Sequence, residues 1–479
     1  DRELTYHLYG GQSEHRLKQE LLLGLGGIRL INKLNLKPNI YHSNEGHSAF
    51  IGIERIKYLI EEKHLVFKSA LEVVRASNLF TTHTPVPAGH DTFNEDLVRA
   101  YLGHYPANYL GISWEEFIGL GKINSANKSE EFSMSILAMN LSRKINGVSK
   151  IHGEVSREMF QPLYPAYFKN EINVGHVTNG VHYPTWTDEV WKNTYKNLFG
   201  DRFENNQYDE SLWEKIYEVD DYKIWSNRKK VKRKLIDEVM YRLDNRASFY
   251  HSNPKLILKT KANLTENTLI IGFARRFATY KRATLLFHDL DRLSKLMNKE
   301  DKPIVFLFAG KAHPRDIAGQ NLIKHIIEIS RQERFEGKIL FLENYDMDLG
   351  KVLTSGVDVW LNTPTRPMEA SGTSGEKAIM NGVLNLSVLD GWWAEGYVEN
   401  AGWALEQKRR FEAQEIQDQL DAARLYLTFE NEIIPAYFSY DKNGLPKQWI
   451  KYIKNNIAKI CPRFTMQRML DDYYNGFYN

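Results

Sequence analysis

Five short apolar runs punctuate the second half of the chain: Thr268–Phe273, Pro303–Ala309, Lys338–Leu342, Val357–Leu361 and Val383–Ser387. Each is too short for a helix, and in most of them apolar side chains occupy successive rather than alternate positions. A strand of that kind buries both of its faces, which a helix-covered parallel sheet provides. Helical segments separate most of the runs, so βαβ crossovers follow and the fold class is α/β. Ligands of such sheets sit beyond the carboxyl ends of the strands. The loops there are unusual: Arg275-Arg276 to Lys281, Gly310-Lys311, Glu343-Asn344-Tyr345, and the segment from Glu369 to Gly382.

The part before Trp186 is less regular. Glu14 to Leu34 has helical spacing broken by Gly24, Gly26 and Gly27, and Asn39–His42 reads as a strand entering the loop Ser43–His47. Leu79–Thr84 reads as a strand leading to the turn Pro85–His90, Phe132 to Val148 as a helix, and Asn173–Thr178 as a strand. The charged segment Lys192 to Ser252 predicts helices that cover or connect. With 479 residues the chain exceeds what a single core usually serves, so two domains are expected.

A net charge of +3 gives no case for nucleic acid. The single cysteine, Cys461, excludes an internal disulfide and a cysteine-based zinc site, and suits a reducing, cytoplasmic compartment. No apolar run approaches the ~18 residues of a membrane helix. Asp1-Arg2-Glu3-Leu4 has neither an initiator methionine nor a signal pattern, so the chain is expected to begin inside a larger protein.

Lys377 follows a strand, a glycine-rich turn and the start of a short helical pattern, Glu376 to Met380. That order gathers backbone N–H groups for an anion and sets a lysine beside them. The Gly-Lys-Ser/Thr ending of a nucleotide phosphate loop is absent. Such a lysine suits a carbonyl cofactor with a phosphate, although an ordinary turn carrying a solvated lysine has the same spacing. Arg276 and Lys281 sit at a junction expected to open a helix, Arg282 to Leu293; a fork and a point charge there suit an oxyanion, or form a solvated patch. His83 follows a strand, Asn179 lies in a turn-prone Asn-Gly pair, and Glu369 is flanked by small residues near Lys377. Each has a structural reading as well as a ligand-binding one. His47 and Glu45 share a loop, but two potential ligands do not make a metal site, and no metal is expected. No Ser-His-Asp arrangement or glycosidase carboxylate pair stands out.

Taken together, these segments resemble the α-glucan phosphorylases, the glycogen, starch and maltodextrin phosphorylase family, from about Tyr6 onward. The resemblance rests on Glu369-Ala-Ser-Gly-Thr373 with Lys377 and Asn381-Gly382, on Tyr280-Lys281-Arg282, and on Gly310-Lys311-Ala312 and Phe341–Tyr345. Asn146-Gly-Val148, Ile151-His152, Thr178-Asn179-Gly180 and His83-Thr84 add to it. It implies a glycosyltransferase-B fold of two Rossmann-like domains with the active site in the cleft between them. The first, 1–186, would be partial and on the glucan side; the second, 187–479, would hold cofactor and phosphate, its last helices crossing back.

The resemblance further implies pyridoxal 5'-phosphate on Lys377, with Gly372, Thr373 and Arg275 at its phosphate and Tyr345 and Trp186 packed beside it. Arg276 and Lys281 would hold substrate phosphate, and His83, Asn179, Glu369 and Ser371 the sugar hydroxyls. The reaction would be reversible phosphorolysis of α-1,4-glucan or maltodextrin to α-glucose 1-phosphate, with inorganic phosphate as co-substrate; a homodimer is compatible with it. The sequence departs from familiar members at Gly372-Thr-Ser-Gly-Glu-Lys377, where they read Gly-Thr-Gly-Asn-Met-Lys, and at Leu389–Glu395. A glycine-rich loop that the family places earlier in its N-terminal half is not found. The reading is therefore the later part of a phosphorylase of the shorter bacterial type, with no assured activity of its own. Two alternatives compete: a nucleotide-sugar glycosyltransferase using Glu369 and Glu376 as paired glutamates, and a non-catalytic glucan-binding remnant.

Overall fold

The structure is a computed structural model that describes residues 2–6, 11–86, 89–250, 254–314, 316–406, 411 and 413–478. Parts of the expected turn Pro85–His90, and Ser252 at the end of the charged segment, lie outside the described residues. The chain separates between Thr178 and Asn179 into two units, and Asp472–Asn479 belong with the first. No helix among the described residues is long and apolar enough to cross a membrane.

The first unit contains β1 (Tyr41–Asn44), β2 (Asn78–Thr81), β3 (Thr92–Phe93), β4 (Phe132–Ser133), β5 (Lys144–Gly147) and β6 (Val174–His176). β1-β2-β5-β6 form a parallel sheet, and β3 pairs with β4 antiparallel. Helices Phe50–Lys63, Phe67–Ser77, Met134–Asn140 and Lys150–Met159 accompany these strands, around a core with Phe50, Ile53, Phe80, Phe132, Leu137 and Ile145. Two local expectations are corrected. The helix expected from Phe132 to Val148 stops at Asn140, and the residues after it form β5, an inner strand of the sheet. The glycines near Gly24 do not interrupt helical geometry: Ser13–Leu21, a π-turn at Leu22–Gly26 and Gly27–Lys33 run on continuously. A Cβ on Gly24 would come within 2.5 Å of Phe50 Cβ, so close packing explains that glycine.

Residues from the end of the chain complete this unit. Tyr473 Oη receives a hydrogen bond from Asn146 Nδ2 at 3.1 Å and lies 3.2 Å from Thr81 Oγ1, so it bridges β2 and β5. Phe477 packs on Gly175 of β6, and Tyr478 Oη lies 2.9 Å from His42 Nδ1 of β1.

The second unit contains β7 (Leu269–Ala274), β8 (Ile304–Ala309), β9 (Ile339–Leu342), β10 (Val359–Asn362), β11 (Leu384–Val388) and β12 (Trp403–Leu405). They form one wholly parallel sheet in the order β12-β11-β10-β7-β8-β9, and β7, β8, β10 and β11 are buried at every position. All five apolar runs are thus strands, shifted by one or two residues. Buried Arg228, on the long helix Asp221–Tyr250, donates to the carbonyls of Ser355, Val357 and Asn381 at 2.6, 2.6 and 2.9 Å. It thereby satisfies carbonyls at a helix end and behind the Lys377 segment.

Candidate functional site

After β7 the chain makes a 3-10 turn, Thr279–Lys281, then Arg282 in the left-handed region at φ 48°, and no regular helix begins before Leu290. The helix expected from Arg282 to Leu293 is therefore absent over its first part, and no macrodipole stands behind Arg276 and Lys281. Four hydrogen bonds hold Arg282 instead: to the Thr363 and Pro364 carbonyls at 2.8 and 2.9 Å, and to Asp418 and Asp421 at 2.8 and 2.6 Å. Gly310, after β8, has φ 141°, and a Cβ there would lie 1.9 Å from the Arg275 carbonyl oxygen. Only glycine lets the two loops touch at that point.

Glu369, after β10, joins these loops. Its carboxylate receives Lys281 Nζ at 2.7 and 2.8 Å and an Arg275 N–H at 2.9 Å, with all three side chains largely buried. Burial alone would raise its pKa, but the two cations and their hydrogen bonds overcome that and hold it at about 2. Its backbone N–H donates to Asp390 Oδ2 at 2.9 Å, after β11. Burial pushes the Asp390 carboxyl up to about 7, against the two backbone N–H groups it accepts. Arg275 Nε is buried without a hydrogen-bond partner among the described residues. Arg276 is exposed and makes no polar contact among the described residues.

Gly372 has φ 91° and starts the helix Thr373–Ile379, whose first amides have no side-chain cap. Lys377 lies on that helix, half-buried, its Nζ 3.6 Å from the centroid of Trp186. Among the described residues it has no carboxylate partner, and burial lowers its pKa, which favours the neutral amine a carbonyl group needs. Buried Asn381 fastens the pair: its Oδ1 accepts the Asp188 N–H at 2.7 Å, and its Nδ2 donates to the carbonyls of Trp186 and Lys377 at 2.9 and 3.0 Å. Tyr345, after β9, is half-buried, and a Cβ on Gly350 would lie 2.9 Å from its Oη. These features fit pyridoxal 5'-phosphate: a reactive amine, an aromatic neighbour, uncapped amides and a buried guanidinium nitrogen awaiting an acceptor.

Ser371 is buried and donates from Oγ to Glu376 Oε1 at 3.4 Å. Glu376 has no exposed surface, so it cannot act as the second of a ligand-facing pair with Glu369. Asn179 is half-buried, and its carbonyl accepts from Arg468 at 2.8 Å. His83 belongs to the first unit, where its backbone N–H donates to Glu45 Oε2 at 2.8 Å and its ring meets Asn44 Oδ1. Glu45, at φ 69°, also receives the Thr84 hydroxyl at 2.8 Å. The described residues hold one His/Asp/Glu group with ligand spacing, Glu20, His47 and Asp91, but the Arg16 guanidinium already lies against all three, at 3.1, 2.8 and 2.8 Å. Asp390, Asn381 and Glu376 are supporting residues that sequence reasoning did not single out for those roles. The Asp390-Gly391 turn signal was the available cue for the first.

Comparison with known proteins places this geometry. Residues 29–399 match the carbohydrate phosphorylase family. The whole chain aligns with the maltodextrin phosphorylase of Thermococcus litoralis at 42% identity, covering 55% of that protein. It aligns over its whole length with the glycogen phosphorylases of Mycobacterium tuberculosis and Aquifex aeolicus at 37% and 38%, covering 56% and 68% of them. The chain thus spans little more than half the length of the first two relatives. A match over most of the chain, on a sheet whose loops carry the Lys377 and Glu369 clusters, shows that the chain belongs to the carbohydrate phosphorylase family.

Proposed function

We propose that this chain carries the cofactor and phosphate machinery of an α-glucan phosphorylase of glycosyltransferase-B fold. The reaction breaks a glucosidic C1–O4 bond, joins C1 to a phosphate oxygen and delivers a proton to the departing O4, giving α-glucose 1-phosphate and a shortened glucan. The observation that carries the proposal is Lys377: a half-buried amine without a carboxylate partner among the described residues, lying against Trp186.

Pyridoxal 5'-phosphate held there supplies a phosphate that exchanges protons near neutral pH. The chain's own groups do the rest. Arg275, Gly372 and Thr373 would hold the cofactor's phosphate, and Tyr345 and Trp186 would hold its ring. Lys281 and Arg276 take the substrate phosphate. Glu369 holds Lys281 and Arg275 in place and balances their charge, so the site is set before an anion enters. In the second unit Ser371, Asn179 and Glu369 bind sugar hydroxyls; in the first, His83 is the sugar-binding candidate.

The test is to incubate the chain with pyridoxal 5'-phosphate, reduce with borohydride and map the peptides by mass. The expected result is a pyridoxyl adduct on Lys377, with glucose 1-phosphate formed from maltodextrin and inorganic phosphate. A folded chain left unmodified at Lys377 overturns the proposal.

A further inference from the structure

The helix that carries Lys377 has one open face. Between Thr373 and Lys377, Gly375 and Glu376 are buried, whereas Thr373, Ser374 and Lys377 keep part of their surface. Ser374 stands three residues before Lys377, so the two side chains are neighbours one turn apart. The familiar motif Gly-Thr-Gly-Asn-Met-Lys has glycine where this chain has Ser374, so the motif does not account for a hydroxyl there.

Trp360 fixes how that hydroxyl can be used. It lies on β10, is buried, and its Nε1 is 3.1 Å from Ser374 Oγ. An indole nitrogen only donates, so Ser374 accepts, and chemistry alone sets the direction of the bond. The serine proton then points away from Trp360, and it meets no acceptor among the described residues. Satisfying Trp360 is not enough to explain the serine. The indole N–H groups of Trp191, Trp225, Trp403 and Trp449 are buried with no hydrogen-bond partner among the described residues, and the fold accommodates them. What stands unexplained in Ser374 is its donor.

Pyridoxal 5'-phosphate brings an acceptor for it. The aldehyde and the phosphate arm leave adjacent carbons of the pyridine ring, so an aldehyde at Lys377 keeps its phosphate within about one helical turn. Ser374 lies at that separation on the same open face, and an ionised phosphate offers acceptor oxygens.

We propose that Ser374 is a cofactor-binding residue: its hydroxyl donates to the phosphate of pyridoxal 5'-phosphate held at Lys377, and Trp360 is the positioning residue that turns the hydroxyl outward. The inference rests on the phosphorylase reading for the cofactor at Lys377. It goes beyond that reading in adding a side-chain donor that the familiar motif lacks.

The test compares equilibrium binding of pyridoxal 5'-phosphate with that of pyridoxal, which has the same aldehyde and no phosphate. Borohydride trapping and peptide mapping count only the adduct on Lys377. Ser374→Ala is expected to bind pyridoxal 5'-phosphate about 10-fold more weakly, the worth of one hydrogen bond to a charged group, and pyridoxal within about 2-fold of wild type. Ser374→Gly, which restores the familiar residue, is expected to show the same selective loss. Equal losses for the two aldehydes, or unchanged binding of pyridoxal 5'-phosphate, in either variant overturn the inference alone. Trp360→Phe removes the N–H and keeps an aromatic ring; it is expected to lose about 3-fold with pyridoxal 5'-phosphate, and nothing further when combined with Ser374→Ala. A further loss in that double variant overturns the positioning role of Trp360. Absence of an adduct on wild-type Lys377 with either aldehyde overturns the phosphorylase reading and this inference together.

Discussion

Lys281 and Glu369 form a largely buried ion pair, with Nζ 2.7 Å from Oε1 and 2.8 Å from Oε2, and Arg275 shares the same carboxylate. One negative charge thus balances two cations in a place with little water. Replacing it by Glu369→Gln leaves both cations unbalanced, which costs about 3–5 kcal/mol where a buried pair is broken. An anion restores part of that loss. The variant is expected to melt well below wild type in chloride buffer and to recover more than wild type when phosphate is added. Equal shifts in the two proteins would refute the balance.

Gly310→Ala is expected to act on Arg275 from outside the ion pair. Its Cβ would meet the Arg275 carbonyl oxygen at 1.9 Å, and φ 141° strains any side chain. Backbone displacement of this kind costs about 3 kcal/mol or more. Urea unfolding measures the loss, and a variant within ~1 kcal/mol of wild type would contradict the close approach.

Asn381→Ala removes three hydrogen bonds from a fully buried amide, to Asp188, Trp186 and Lys377. The expected loss is about 2–4 kcal/mol. Trp186 is also released from Lys377, so the rate at which Lys377 takes up pyridoxal 5'-phosphate is expected to change at temperatures where the variant is still folded. Trp186 fluorescence and adduct formation measure this together.

Glu376 gives stability a pH dependence of known sign. Its folded pKa, about 8, lies above the ordinary 4.5. Below pH 4.5 both folded and unfolded chains are protonated there. Above it the unfolded chain ionises first, so the native state loses stability as pH rises, until the folded group ionises near 8. Glu376→Gln lacks that loss, at most about 1.4 kcal/mol per pH unit. The melting temperature of the variant relative to wild type is expected to climb between pH 5 and 8; a flat difference would exclude the shift.

The second sheet was legible because its inner strands β7 and β8 are apolar at nearly every position and β10 at all but its last, a signal carried by the residues themselves. β5 was not: Lys144-Ile-Asn-Gly147 has one large apolar residue, and its strand geometry comes from β2 and β6, far away in sequence. The helix expected at Arg282 failed for a similar reason, since distant Asp418 and Asp421 and two carbonyls hold that arginine in a left-handed turn. In the candidate site, local motifs marked Lys377, Lys281 and Glu369 as chemically interesting. That Glu369 binds Lys281 and Arg275, and that Asp390 and Asn381 hold the backbone around them, depends on loops from several strands and has no local signature.

The membership of Asp472–Asn479 in the first unit has a consequence for biosynthesis. A ribosome delivers the strands β1 to β6 first, but Tyr473, Phe477 and Tyr478, which bridge or cover them, follow about 290 residues later. At ~5–20 residues per second that is a delay of roughly 15–60 s. During it the nascent sheet keeps the Asn146 amide, the His42 ring and the surface of Gly175 open, so the earlier of the two units waits on residues made after the later one.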